Sequence, residues 1–459
     1  MRRGSTYTNL SGLLALAACA VPVRAVGPSV RFLRFDEVRE IVAGFANSGA
    51  VTGDLPDRRS WDTWIRASDR EIRTRIDRGI DDSISNLILY GTAFTALPRI
   101  EGAEMARAPD GRLTELARSR VRAFLSAVAK QQKDERLRFA GDFLARRGVP
   151  TPTLESALES NLQRFAAEQR AYRESLENAG KSGDPDQVLF TRSTLYRERG
   201  LSVDTSLLPN FAIEDTLRAM MRKGALSPGS IRRIAVAGPG LDFADKRDGY
   251  DYYPLQTIQP FALIEAVARL GLGDVDRVNV TAFDLNPLVL THVRGLAQQA
   301  RTYTIQLPRD AHGEWKPEAL AYWQHFGDII GSPVPALAVP PALKNDVAAR
   351  AVAIRPACTA RVEAADLDVV AQTMDREEGN GYDLVVATNI LVYYDLFQQA
   401  LAKAAIGHMM NPGGVLLVNH ALPSQQAGGL EFLGRRSVSY SSTGAHGDDV
   451  VAYRRRVLK

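Results

Sequence analysis

The chain has 459 residues, 45% hydrophobic and 24% charged, which is enough apolar material for more than one core and too balanced for a disordered or fibrous protein. Its formal charge is +4, half of it from Arg2 and Arg3 alone, so charge gives no reason to expect a nucleic-acid partner. Two cysteines, Cys19 and Cys358, exclude a disulfide framework, and no internal repeat or low-complexity tract is visible.

Residues 1–25 read as an export leader. Arg2 and Arg3 precede an apolar run, Leu10 to Ala20, that is too short to span a bilayer and is followed by small residues. Leu16-Ala17-Ala18-Cys19 resembles a bacterial lipoprotein box, in which Cys19 would carry the lipid. An ordinary signal cut after Ala20 or Ala25 is the other reading. Either form predicts export, to the periplasm or to a membrane through a lipid on Cys19, whereas an uncut chain would be cytoplasmic.

Residues 30–225 are predicted to be an all-α domain. Ile72, Ile76, Ile80, Ile84 and Ile88 recur every fourth residue, Leu113 to Val128 carries a helical apolar stripe, and a further helix runs from Leu154 to Asn178 before Gly180. Trp61 and Trp64 read as packing anchors. The segment GLSVDTSLLPNFAIEDTLR, residues 200–218, reads as a connector ending in a helix; a lid over a sheet edge is the alternative.

The pattern changes after Ile231, where short apolar runs alternate with helical stripes, as a mostly parallel α/β sheet requires. Arg232 to Ala237 is a strand candidate running into Gly238-Pro239-Gly240, where missing side chains let a ligand approach the backbone. Val278 to Phe283 is a second strand, ending on Asp284. An insertion, about residues 303–349, holds Trp315, Tyr322, Trp323, His312 and His325; its aromatics either shape a pocket or fasten the insertion to the body. The two histidines, 13 residues apart, show no metal-ligand spacing, so no metal site is expected. Ala351 to Ile354 is the strand candidate leading to Asp366, and Cys358 reads as a small buried hydrophobe. Tyr382 to Ala387 is a strand, Phe397 to Met410 a helix, Asn411-Pro412-Gly413-Gly414 a stop and turn, and Val415 to Val418 another strand. Phe432 to Ser441 and Asp449 to Arg455 close the chain as a hairpin.

The stretch NILVYYD, then a helix, then NPGG, resembles the second half of a class I S-adenosylmethionine-dependent methyltransferase, and its phrasing is similar to the chemotaxis-receptor branch. The resemblance covers about residues 228–459. It implies a Rossmann-like, mostly parallel sheet with a terminal antiparallel hairpin, S-adenosylmethionine as cofactor, and a small-molecule or protein methyl acceptor. It further implies that Gly238 and Gly240 form the cofactor loop, that Asp284 holds the ribose, that Asp366 contacts the adenine amino group, and that Asn389 and Tyr393 face the methyl-transfer pocket.

Two departures accompany it. The family's first motif carries an acid two positions before its first glycine and a third glycine two after its second; here those positions are Val236 and Asp242. Valine cannot accept a hydrogen bond from the cofactor's amino group. The loop is also long: 46 residues separate Gly238 from Asp284, against roughly 20 in a compact dinucleotide fingerprint. Asp242, Asp245 or Asp251 replacing the lost acid from within this loop is one reading, and a surface insertion without a ligand is the other. The corresponding functional alternatives are a methyltransferase and an exported or lipid-anchored binding module without turnover.

Overall fold

The computed structural model describes residues 29–457 apart from 49–54, 101, 109, 131–133, 182–190, 192–195, 197–198, 244–249, 299–301, 376–378, 425–428 and 444–445. The export leader and Cys19 therefore lie outside the described residues, as does Asp245. In chain order, among the described residues, a short strand β1 (Val30–Phe32) precedes helices α1 (Phe35–Ser48), α2 (Trp61–Tyr90), α3 (Glu115–Lys130), α4 (Glu135–Arg146) and α5 (Leu154–Lys181). A connector then leads into α6 (Leu208–Arg222) and β2 (Arg233–Ala237). The second half continues with α7 (Gln259–Arg269), β3 (Asn279–Asp284), α8 (Pro287–Gly295), β4 (Thr304–Asp310), α9 (Pro317–His325), β5 (Gly331–Val334) and β6 (Val347–Ile354). It ends with α10 (Pro356–Thr359), β7 (Val362–Asp366), β8 (Gln372–Met374), β9 (Tyr382–Val386), α11 (Leu396–Met409), β10 (Met410–Val418), β11 (Leu430–Ser439) and β12 (Gly447–Arg455).

The central sheet has seven strands in the order β11-β12-β10-β9-β2-β3-β7. β10, β9, β2, β3 and β7 run parallel, while β12 pairs antiparallel with both β10 and β11. Leu384, Val385 and Val386 of β9 and Leu416 and Leu417 of β10 are fully buried, as unbroken apolar runs covered on both faces should be. From β2 the chain steps one way to β3 and β7 and, later, the other way to β9 and β10, so the order reverses between β2 and β9. Open α/β sheets form a ligand crevice at such a point, beyond the carboxyl ends of the strands.

Three sequence expectations change. The strand ending at Ile354 is not the third core strand: β6 lies between β4 and β5 in a separate three-stranded antiparallel sheet. The core position belongs to β7, an edge strand in which only Val362 is buried and which so lacks a continuous apolar signal. Asn411 to Gly414 is not a free turn but a bulge inside β10, where register with β9 jumps from Met410–Tyr382 to Val415–Leu384 and Gly413 adopts φ 82°. The first half is not purely helical either, because β1 pairs with β8 across the molecule.

The insertion's aromatics fasten it down. Tyr322 packs against Phe211 of α6 with ring centroids 5.5 Å apart, and inside the insertion the Trp323 indole donates to the Leu307 carbonyl at 3.1 Å. The two halves meet through α11, whose start is fixed by a capping box between Asp395 and Gln398. Phe397 on its first turn makes edge contacts with Phe45 of α1 and Trp64 of α2.

Candidate functional site

A cavity of about 580 Å³ opens at the reversal point, within the range of small-molecule and cofactor sites. Its floor is the carboxyl edge of the sheet: Ala237 to Gly240 after β2, Phe283 to Asn286 after β3, Leu367 and Val369 after β7, and Thr388 to Tyr394 after β9. Its roof comes from α2, α5 and residues 201–206 of the connector. The segment expected as a plain connector thus walls the site, as its lid reading required.

Both glycines are needed where they stand. Gly238 and Gly240 have φ of 65° and 66°, and a Cβ on either would meet Ile390 Cδ1 at 2.2 Å or the Val203 carbonyl oxygen at 2.5 Å. Only glycine fits that conformation and that approach. The Gly238 N–H donates to the Phe283 carbonyl at 2.8 Å, which anchors the turn against the end of β3.

Asp284 lies at this end of β3 and lines the cavity. Its Oδ1 accepts from the Asn286 N–H at 2.8 Å, and burial pushes its carboxyl up to about 7. The next strand end behaves differently. Asp366 stands beside Asp284 in register but does not line the cavity, because its carboxylate turns out to Arg73 of α2, 2.9 Å away. Leu367 and Val369 take that part of the wall, so the expected adenine contact from Asp366 is not formed in this arrangement.

Asp242 is also turned away. It is buried, its carboxylate accepts from the Tyr253 hydroxyl at 2.8 Å and from Gln256 Nε2 at 3.0 Å, and it lies outside the cavity wall. Asp251 accepts from the Thr92 and Ala93 N–H groups just past α2. Neither Asp242 nor Asp251 therefore replaces an acid at the glycine turn. That loop packs on the insertion instead, with Tyr250 and Tyr253 beside Leu343 and Val347.

Asn389 and Tyr393 both line the cavity. Among the described residues Asn389 is the one non-glycine with positive φ, 61°, a conformation that persists where surroundings enforce it and that clusters at functional sites. The enforcing residue is Asn419, just beyond β10. The Asn389 backbone N–H donates to Asn419 Oδ1, and Asn419 Nδ2 donates to Asn389 Oδ1 at 2.6 Å. A backbone N–H can only donate, so it fixes the Asn419 amide, and Asn419 then fixes Asn389. Tyr393 stacks in a series with Tyr196 (5.4 Å) and, beyond it, Tyr172 of α5. Burial raises the Tyr394 hydroxyl far from ionisation at neutral pH.

Among the described residues no group of His, Cys, Asp and Glu is arranged to hold a metal ion. His312 and His325 lie on the surface beside Asp346 and Asp328. Sequence reasoning missed Asn419 and the cavity-facing Asp204. Asn419 had a signal, since polar residues just past buried parallel strands face the crevice. Asp204 had none, because nothing local marks a connector residue as part of a site.

No protein-family model and no curated protein matches the chain. Among solved structures it is similar to magnesium protoporphyrin IX methyltransferase from Synechocystis PCC 6803 with bound S-adenosylmethionine, at 11% identity over 53% of this chain and 79% of that one, TM-score 0.25. It is similar to the N-methyltransferase NodS from Bradyrhizobium japonicum WM9 at 12% identity over 53% and 97%, TM-score 0.25. It is also similar to the glycopeptide N-methyltransferase MtfA complexed with sinefungin, at 12% identity over 56% and 97%, TM-score 0.28. The chain's own strand order and crevice define its class: a mostly parallel α/β sheet with an antiparallel hairpin at its end and a cofactor-sized site at its switch point.

Proposed function

We propose that the chain is an S-adenosylmethionine-dependent methyltransferase. One observation carries this reading: the Gly238–Gly240 turn, Asp284 and the 389–394 loop, drawn from three strand ends, wall a single cavity at the sheet's reversal point. The turn's glycines line the cavity, and the places their Cβ atoms would take are filled by Ile390 and Val203, which fixes the turn's backbone at the cavity edge. When bound, S-adenosylmethionine supplies a methyl group on a sulfonium, already activated for in-line displacement.

The protein's share is therefore mainly positioning. Asp284 accepts hydrogen bonds from ribose hydroxyls, and Phe283, Leu285, Leu367 and Val369 offer an apolar bed for a base. Asn389, with its oxygen engaged by Asn419, presents N–H donors to a methyl acceptor, and Tyr393 borders the same space. The acceptor is a small molecule or a protein side chain. Calorimetry of the full chain with S-adenosylmethionine and S-adenosylhomocysteine tests this reading: one-site binding of both is expected, and no heat from either at millimolar concentration would refute it.

A further inference from the structure

The cavity reaches past the sheet edge into the helical half, where Tyr90 of α2, Tyr172 and Leu176 of α5, and then Tyr196 and Arg199 line it. This side is aromatic and basic. Tyr172 and Tyr196 stack with centroids 5.1 Å apart and planes 16° from parallel, and Tyr196 meets Tyr393 at 5.4 Å. The three rings therefore form one wall from α5 to the loop that holds Asn389. Beside this wall is Arg199, whose guanidinium carbon lies 5.1 Å from the Tyr196 ring centroid and whose side chain is 14% exposed.

Arg199 is only loosely neutralised. Among the described residues its ion pairs join three guanidiniums, of Arg78, Arg164 and Arg199, to two carboxylates, of Asp82 and Glu168. Arg164 takes Asp82 at 2.7 Å, which leaves Arg199 the longer contact at 3.8 Å. The Gln169 amide, turned to satisfy both groups, accepts from its Nη1 and Nη2 at 3.3 and 3.1 Å, fewer bonds than five N–H donors can make. A planar guanidinium of this kind suits a carboxylate, and an aromatic wall suits a ring laid against it. We propose that the methyl acceptor is a small aromatic acid, its carboxylate on Arg199, its ring along Tyr172, Tyr196 and Tyr393, and its hydroxyl or amine toward Asn389. The acceptor's lone pair forms the bond to the methyl carbon, the carbon–sulfur pair leaves on sulfur, and the acceptor's proton goes to water. This assignment rests on the cofactor reading above and makes the helical half the part that selects the acceptor.

Three probes separate ring from charge: 4-hydroxybenzoate has both, 4-hydroxybenzyl alcohol lacks the charge, and 4-hydroxycyclohexanecarboxylate lacks the aromatic ring. Each is titrated by calorimetry into the full chain saturated with S-adenosylhomocysteine. The first should bind at least about 10-fold more tightly than either of the others, the low end for a hydrogen bond to a charged group. Arg199→Gln should weaken 4-hydroxybenzoate to the level of the alcohol while leaving the alcohol and S-adenosylhomocysteine unchanged, and Arg199→Lys should restore part of the preference. Tyr196→Leu should narrow the gap between the two acids. Equal binding of the three probes to wild type, no binding of 4-hydroxybenzoate, or its displacement by S-adenosylhomocysteine overturns the assignment and leaves the cofactor reading intact. Because that ranking is read on wild type, a variant that fails to fold does not rescue the assignment. An Arg199→Gln chain that binds S-adenosylhomocysteine and keeps the full preference for the acid also overturns it. A wild-type chain that binds no S-adenosylhomocysteine overturns the cofactor reading, and the same ranking measured without it then decides whether the aromatic acid site exists.

Discussion

Asp242, Asp284 and Asp368 carry carboxyls that burial pushes up, to about 6 for the first and about 7 for the other two. An acid whose folded value is raised binds its proton more tightly when folded than when unfolded. Its contribution to stability is therefore greatest at low pH and is lost as pH rises from the ordinary carboxylate range toward 7. Asp368 isolates the effect, since it lies outside the cavity wall and its Oδ2 is buried without a hydrogen-bond partner. Asp368→Asn should raise the melting temperature relative to wild type at pH 8 and do so less at pH 5; an equal shift at both would place the cause elsewhere. Asp284 titrates in the same window with a functional result. Ribose hydroxyls donate to its ionised form, so nucleoside affinity should rise between pH 6 and pH 8, and Asp284→Ala should weaken binding by about 1.5–3 kcal/mol with the fold intact. Calorimetry of that variant at pH 8 checks the assignment, which unchanged affinity would sink. At this scale the sequence placed Gly238, Gly240, Asp284, Asn389 and Tyr393 at or after the ends of buried strands, and all five line the cavity. It misled at Asp366 and Asp242, because which way a carboxylate turns depends on Arg73 and Tyr253, partners 293 and 11 residues away.

Helices and the core strands other than β7 were legible because each buries an apolar stripe or run of its own period. The fourfold spacing of isoleucines in α2 is a buried face, and β9 and α11 fall where their residues put them. The connector was not legible, since its placement is decided by one close backbone crossing. A Cβ on Gly79 in α2 would lie 1.8 Å from the Leu201 carbonyl oxygen, and one on Gly200 would lie 2.2 Å from the Gly79 nitrogen. The Arg75 guanidinium, a turn earlier, donates to the Arg199 carbonyl at 2.7 Å and holds the same crossing. Gly79→Ala should displace residues 199–206 from the helix and cost about 1–3 kcal/mol, the usual penalty for overpacking. Because that segment roofs the cavity, S-adenosylhomocysteine affinity should fall with it, although no ligand-facing side chain has changed. Chemical denaturation and calorimetry on one preparation test the pair of outcomes; a stability loss with unaltered binding would mean that the connector does not shape the site.

Across the whole molecule the cavity is a joint product of two regions with different architectures, and this shared construction was the least visible feature in the sequence. The alternation of strands and helices after Ile231 foretold the sheet, and helical periodicity foretold most of what precedes it, but periodicity says nothing about how two such bodies meet. Their union rests on long-range pairs: β1 with β8, Phe397 with Phe45 and Trp64, and Arg136, whose guanidinium donates to the carbonyls of Asp242, Phe243 and Tyr253. A ligand that touches both bodies and binds only the folded state stabilises their union, by about 2.7 kcal/mol when present at a hundred times its dissociation constant. Saturating S-adenosylhomocysteine should therefore slow amide exchange not only at residues 237–241 and 388–394 but also in the middle of α2 and at residues 201–206. Hydrogen exchange followed by mass spectrometry reads these segments separately. Protection confined to the sheet's carboxyl edge would show that the helical half merely covers the site, whereas protection on both sides is expected if its residues bind the ligand.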